Sequence, residues 1–381
     1  MKIKTFFIIF FISNLIIISN TIFANNSDKI NYDFNLNEIA ISAPSAILIE
    51  KETGEILYSK DSELSLYPAS TVKIMTAIIA IENANLSDII TISSNAITSV
   101  PSSYTLSNIK PEENLTLENL LYALLIPSGN DAANAIAEYI GGNISNFSVM
   151  MNKKAKELGC KNTNFTNPNG VHDENMHTTA YDLSLIAKYA MNNTTFRHIV
   201  STIEYTLPSS NKYPQADRTF NNSNHLILPE SKDYYEYATG IKTGFTNAAQ
   251  NCLVASAKKG NVEFIVVILG STESNWSEHS KFSDAKNMFN YAFDNYYDYY
   301  NNLYLKKLYR TSSVSSKIIE TFVDPNMIKD EKNSPRWGYV IYLIAKFTLI
   351  IIAILYISYL FVMKVKRFIY KRTHAEFHFK N

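Results

Sequence analysis

A hydroxyl and an amine stand three residues apart at Ser70-Thr71-Val72-Lys73. On a helix that spacing puts both groups on one face, a single turn apart. Acyl transfer needs such a pair: a nucleophilic oxygen and a base to take its proton. The spacing alone says little, because Ser107, Ser209, Ser256 and Ser283 also begin a Ser-x-x-Lys in this chain. Context separates Ser70 from them. Pro68 ends an extended segment, and the apolar run Ile74 to Ile81 predicts a buried helix that starts near Ser70. Free backbone N–H groups and the positive dipole end are available at such a start. Amide donors there suit the oxyanion of a tetrahedral intermediate, and the positive end disfavours a protonated Lys73.

Two further clusters have the composition to complete a site. Ser128-Gly129-Asn130 falls where the leucine-rich segment breaks at Pro127 and the next helix begins, so its polar side chains are displayed on an interhelical turn. Two roles are open for Asn130: a chemical one, or the N-cap of the helix entered at Asp131. Ser-x-Asn is common, recurring at Ser93 to Asn95 and Ser209 to Asn211. Lys242-Thr243-Gly244 is rarer. Gly244 lets a ligand backbone lie close along an edge strand, while Lys242 and Thr243 offer an ammonium and a hydroxyl to a carboxylate. The plain alternative is a polar strand end with a glycine bulge.

The elements that must position these groups are legible in outline. Ser45 to Glu50 and Glu55 to Tyr58 flank Gly54 and read as a hairpin. Leucines at 117, 120, 121, 124 and 125 form a helical stripe that must stop at Pro127. A second helix runs from Asp131 to Ile140 and ends at Gly141-Gly142. Tyr181 to Met191 predicts another helix, and Gly240 to Thr246, Cys252 to Ala257 and Val262 to Leu269 predict three strands. Ser283 to Tyr291 closes the series as a helix. Strands at both ends with helices between them imply an α+β domain, in which distant segments pair in one antiparallel sheet flanked by helices.

The termini predict export. Lys2 and Lys4 precede an apolar run from Phe6 to Ile18, then Ile22-Phe23-Ala24, the layout of a signal peptide over residues 1–24. A polar leader follows at 25–36. Near the other end, Tyr339 to Met363 is apolar apart from Lys346, long enough for a span placed at 337–363. Lys364, Lys366, Arg367, Lys371 and Arg372 follow it, so the tail 364–381 faces the cytoplasm and the folded body faces outward. Residues 37–295 are then the catalytic domain and 296–336 a stalk. The tyrosines from Tyr291 to Tyr309 fit packing or an interfacial belt.

Composition removes other classes. Lys plus Arg and Asp plus Glu both total 35, so no global field recruits nucleic acid. Cys160 and Cys252 fit neither a disulfide framework nor a zinc site; one bridge between them or two core thiols are both open, and the core reading is favoured. His172 and His177 lack ligand partners at metal spacing, and no metal or organic cofactor is expected.

Ser-x-x-Lys at a buried helix start, Ser-x-Asn on a turn and Lys-Thr-Gly on a strand occur in that order at domain-scale gaps, the set of penicillin-recognising serine enzymes. The chain resembles the low-molecular-mass penicillin-binding proteins that act as D-alanyl-D-alanine carboxypeptidases, from about Ala43 to Tyr291. The likeness extends through Pro68 to Thr76, Leu125 to Ala133, Asn167-Pro-Asn-Gly170, His177 to Leu183 and Gly240 to Thr246. It implies the β-lactamase/DD-peptidase fold and assigns roles. Ser70 attacks the carbonyl between two terminal D-alanines of a peptidoglycan stem peptide, Lys73 accepts its proton, and Ser128 relays a proton to the leaving D-alanine. Asn130 holds the substrate amide and Lys73, while Lys242 and Thr243 bind the terminal carboxylate. The N–H groups of Ser70 and Phe245 form the oxyanion hole, and β-lactams trap Ser70.

Two features depart from that family. Val72 stands where Thr is usual, and the residues between Tyr291 and Tyr339 are too few for the second, all-β domain that many members carry. Among rivals, a β-lactamase lacks here the Glu-x-x-Leu-Asn sequence between Asn130 and Lys242 that would activate water. A DD-endopeptidase would look the same. A membrane-anchored β-lactam sensor would need a signalling domain after Met363, where the chain is short.

Overall fold

Strands that read as unbroken apolar runs need cover on both faces. The computed structural model, which describes residues 39–272 and 280–320, supplies it. β1 (Ser45–Glu50) and β2 (Ile56–Lys60) form the opening hairpin. A 3₁₀ turn, Ala69–Val72, leads into α1 (Lys73–Asn83). The short β3 (Ile89–Thr91) and α2 (Ser94–Thr98) follow, then β4 (Asn114–Thr116), which pairs with β3. Next come α3 (Leu117–Leu125), α4 (Asn130–Gly141), α5 (Ile144–Glu157), α6 (Ala180–Ala190) and α7 (Thr194–Val200). A small hairpin, β5 (Glu204–Leu207) and β6 (Arg218–Asn221), precedes β7 (Ala238–Thr246), β8 (Gln250–Lys259), β9 (Val262–Ser271) and α8 (Ser280–Glu320).

The main sheet is antiparallel, in the order β2-β1-β9-β8-β7. Side chains alternate across it. Ile47 and Ile49 of β1 and Ile265, Val267 and Leu269 of β9 join the core built by α1 and α3–α7. Ala46 and Leu48, with Phe264, Val266 and Ile268, join a second core under α8. Every residue of β1 and β9 is buried, which is why neither shows a polar face in sequence. The predicted α+β class with one antiparallel sheet and flanking helices is what the chain adopts.

Local chemistry fixes the helix ends. Thr116, Asn143, Thr179 and Asn193 each accept a backbone N–H with the side chain at the start of α3, α5, α6 and α7, a contribution of about 1 kcal/mol apiece. α3 stops before Pro127, which disfavours helical backbone in the residue before it. α4 ends on Gly142 at φ 74°.

The final helix departs from its sequence reading. It runs to Glu320, whereas the apolar spacing stops at Tyr291, because tyrosines carry its buried face onward. Tyr296 and Tyr300 are buried, and the hydroxyls of Tyr300 and Tyr304 donate to Glu55 (2.7 Å) and Glu50 (2.6 Å) of the opening hairpin. These tyrosines pack the domain. Residues 296–320, read from sequence as the start of a stalk, are therefore helical. The chain divides into two units, Met1–Lys307 and Leu308–Asn381, and the site lies in the first.

Among the described residues no helix is long and apolar enough to cross a membrane. The predicted signal peptide 1–24, leader 25–36, remainder of the stalk 321–336, span 337–363 and tail 364–381 lie outside those residues. Cys160 and Cys252 are free thiols, the second buried and the first partly so.

Candidate active site

The start of α1 delivers Ser70 and Lys73 together. Ala69 adopts φ +47°, a left-handed conformation that costs a non-glycine residue about 1–3 kcal/mol, and the 3₁₀ turn carries Ser70 from there into the helix. Lys73 Nζ lies 2.9 Å from Ser70 Oγ, 2.9 Å from Asn130 Oδ1 and 2.5 Å from the Asn169 carbonyl oxygen. Its residue is wholly buried. Burial, followed by the nearby Lys242 ammonium, holds the Lys73 amine well below the ordinary lysine range, and Asp131 opposes the shift. Desolvation and a second cation thus account for the shift that the sequence reading attributed to the helix end.

Asn130 resolves its two open roles. The N-cap position of α4 is Gly129, and Asn130 lies inside the helix. Its Oδ1 faces Lys73 and its Nδ2 donates to the Thr105 carbonyl at 2.8 Å, so no capping bond is made. Ser128, at φ +70°, is the second strained position of the site. Its Oγ is buried and has no hydrogen-bond partner among the described residues, a state that costs about 1–3 kcal/mol and leaves the hydroxyl free for a ligand.

β7 is an edge strand, and Lys242, Thr243, Gly244 and Phe245 lie along it. Its ladder with β8 is regular at Gly244, so the glycine is not a bulge. A Cβ at Gly244 would sit 3.0 Å from Ser70 N and 3.1 Å from Ala69 Cβ. Glycine therefore lets the strand approach the Ser70 amide closely. Phe245 itself is 54% exposed. Thr243 Oγ1 meets Ser223 Oγ at 2.8 Å, and Lys242 Nζ donates to the Thr243 carbonyl at 3.0 Å. Burial, then Lys281, lowers the Lys242 amine to about 7. Lys281, on the first turn of α8, is itself buried and donates to Asn251 Oδ1 at 2.9 Å; Asn251 stands opposite Phe245 in the sheet.

This set of groups matches a known family along most of its length. The family model for D-alanyl-D-alanine carboxypeptidases matches residues 33–273. The chain belongs to that family. The D-alanyl-D-alanine carboxypeptidase DacF of Bacillus subtilis is 37% identical over 267 residues, covering 68% of this chain and 64% of DacF. The chain thus spans under two thirds of that relative's length. A Streptomyces D-alanyl-D-alanine carboxypeptidase is 34% identical over 270 residues, covering 66% of this chain and 88% of the relative. The crystal structure of the Streptomyces K15 DD-transpeptidase superposes with a TM-score of 0.61 at 32% identity, covering 67% of this chain and 98% of that one.

Within this family member, sequence reasoning missed four contributors: Asn134, Asn169, Ser223 and Lys281. Asn169 belongs to a segment singled out in sequence, yet its role passes through a backbone carbonyl that no residue type announces. Its neighbour makes the approach possible. A Cβ at Gly170 (φ +84°) would lie 2.1 Å from the Ala69 carbonyl oxygen. Gly170→Ala is therefore expected to push on the backbone that carries Ser70, destabilising the fold by more than about 2 kcal/mol. Reaction of Ser70 with a β-lactam is expected to slow at least about tenfold. Thermal unfolding and a labelling time course check both.

Proposed function

We propose that the protein is a serine D-alanyl-D-alanine carboxypeptidase that removes the terminal D-alanine from peptidoglycan stem peptides. The observation that carries this is Ser70 Oγ held 2.9 Å from a buried lysine amine whose proton affinity is lowered. Ser70 Oγ attacks the carbonyl between the two D-alanines as its proton passes to Lys73 Nζ. The carbonyl π pair moves to oxygen, which the Ser70 and Phe245 N–H groups receive. Collapse of that intermediate breaks the C–N bond, and the leaving nitrogen takes a proton through the free Ser128 hydroxyl. Water then attacks the Ser70 ester, giving its proton to Lys73; the acyl C–Oγ bond breaks, Lys73 returns that proton to Ser70 Oγ, and the shortened peptide leaves as its acid. Lys242 and Thr243 hold the substrate carboxylate, with Ser223 orienting the threonine hydroxyl. Asn130 holds the substrate amide.

β-Lactams would enter by the same attack and remain as a slow ester. A DD-endopeptidase would share every step and differ only in the peptide accepted. The pattern of the termini supports anchoring at the cell membrane with the catalytic domain on the cell-wall side: an apolar run within 1–24, a second at 337–363 and a basic tail after it.

Full-length protein is mixed with a fluorescent penicillin and with diacetyl-Lys-D-Ala-D-Ala, beside Ser70→Ala. Labelling that vanishes in the variant, with D-alanine release by the wild type, is the expected result. Labelling without release would move the reading toward a sensor or endopeptidase, and absence of labelling would sink it. Externally added protease that removes the domain from intact cells and spares the tail checks the orientation.

A further inference from the structure

Lys73 has three neighbours at hydrogen-bond distance, but the neutral amine that receives a serine proton has only two N–H groups and one lone pair. Which neighbour faces the lone pair decides whether the base is aimed. Asn130 Oδ1 and the Asn169 carbonyl can only accept, so they take the two N–H groups and leave the lone pair to the Ser70 hydroxyl.

The Asn169 carbonyl is held in place from behind. Asn169 Nδ2 donates to Asn134 Oδ1 at 2.8 Å, and Asn169 Oδ1 accepts from Val171 N at 2.8 Å. Asn134 Nδ2 donates to the Ala96 carbonyl and to Ser99 Oγ, both at 3.1 Å. Each amide therefore has its acceptor and donor ends fixed by distinct partners, and neither can flip without losing bonds. Asn134 lies one turn after Asn130 on α4, so one helix face supports both acceptors of the amine. Asn134 and Asn169 are buried, where an amide that lost its partner would be costly.

We propose that Asn134 is a positioning residue for the serine chemistry: through the Asn169 side chain it holds the Asn169 carbonyl on Lys73, and so directs the Lys73 lone pair at Ser70 Oγ. The inference rests on the reading of Lys73 as the base for Ser70. Asn134 touches neither substrate nor reacting atoms. A merely structural amide would affect melting without altering the geometry of proton transfer, and the two roles separate in kinetics.

The test is the acylation rate of the full chain by a fluorescent penicillin in wild type, Asn134→Ala, Asn169→Ala and the double variant. Asn134→Ala is expected to slow acylation about 10- to 100-fold, with the double variant no slower than Asn169→Ala, because both changes cut one chain of contacts. The ratio of variant to wild-type rate is expected to stay flat across pH. An orientation defect persists when Lys73 is neutral in both proteins, whereas a defect in its charge state disappears there. Lys242 and Asp131, the charged groups that act on Lys73, are untouched in all variants. Wild-type acylation by folded Asn134→Ala, additive losses in the double variant, or a ratio that climbs to one at alkaline pH would each overturn the proposal. Should Asn134→Ala fail to fold, Asn169→Ala cuts the same link and keeps the carbonyl. Wild-type protein that takes no label at all would bring down the serine-enzyme reading and this inference with it; labelled wild type beside an unimpaired variant would bring down the inference alone.

Discussion

Exchange of Lys73 for methionine is expected to slow acylation of Ser70 by about 1,000- to 10,000-fold while changing the pH dependence of stability. Methionine keeps most of the length and volume of the side chain, ending one atom short where the amine stood, so the loss isolates the amine. The stability effect follows from the same burial. Lys73 has a folded-state proton affinity well below the ordinary lysine value of 10.5, chiefly because burial penalises the cation. The unfolded chain therefore binds a proton that the folded chain disfavours, and folding is opposed by this group wherever the pH is below its folded value. The penalty fades as pH rises from the folded value toward 10.5. Wild type should accordingly gain stability relative to Lys73→Met on going from neutral to alkaline pH. Denaturant unfolding of both proteins at several pH values measures the gap. A gap that does not move with pH would mean that Lys73 is charged in the folded protein, and the base assignment would have to change.

What could be read in the sequence was what single residues and short runs declare. Ser70, Lys73 and Asn130 are brought into contact, Gly244 packs against the Ser70 amide and Lys242 acts on Lys73, because motif residues keep their chemical types and their local turn or strand wherever the fold carries them. The buried strands were legible for the same reason, since Val262 to Leu269 has few other places to go. Backbone acceptors and second neighbours were not. The Asn169 carbonyl has no side-chain signature, and Asn134 reads as an ordinary helical polar residue until the loop at Asn169 is folded onto it. Lys281 reads as a surface lysine until α8 closes over the sheet end. The length of α8 was hidden because Tyr296 and Tyr300 bury their rings while their hydroxyls or neighbours stay polar, which erases the apolar period. The hairpin of β5 and β6 is short and depends on distant partners: Arg218 pairs with the buried Glu113, and its guanidinium stacks 3.7 Å from the Tyr213 ring.

Lys242→Met is expected to lower kcat/KM for a peptide with a free terminal carboxylate by about 100-fold, most of it in KM, the loss of about 3 kcal/mol that removal of one partner of a desolvated charge pair brings. The wild-type amine is lowered to about 7, by burial first and by Lys281 second. Below that pH Lys242 is a cation and receives a carboxylate; above it the amine is neutral and the carboxylate must recharge it on binding. Affinity for the carboxylate peptide should therefore fall as pH rises past about 7, and a peptide amide should show no such fall. Lys281→Met removes the like charge behind the site. The Lys242 proton then becomes harder to lose, and the falling limb of the affinity (1/KM) profile should move to higher pH. A limb that stays in place in Lys281→Met but vanishes in Lys242→Met would leave burial as the whole cause of the shift. A limb indifferent to Lys242 would remove the carboxylate from this lysine, because nothing else on β7 offers a group that changes charge in that range.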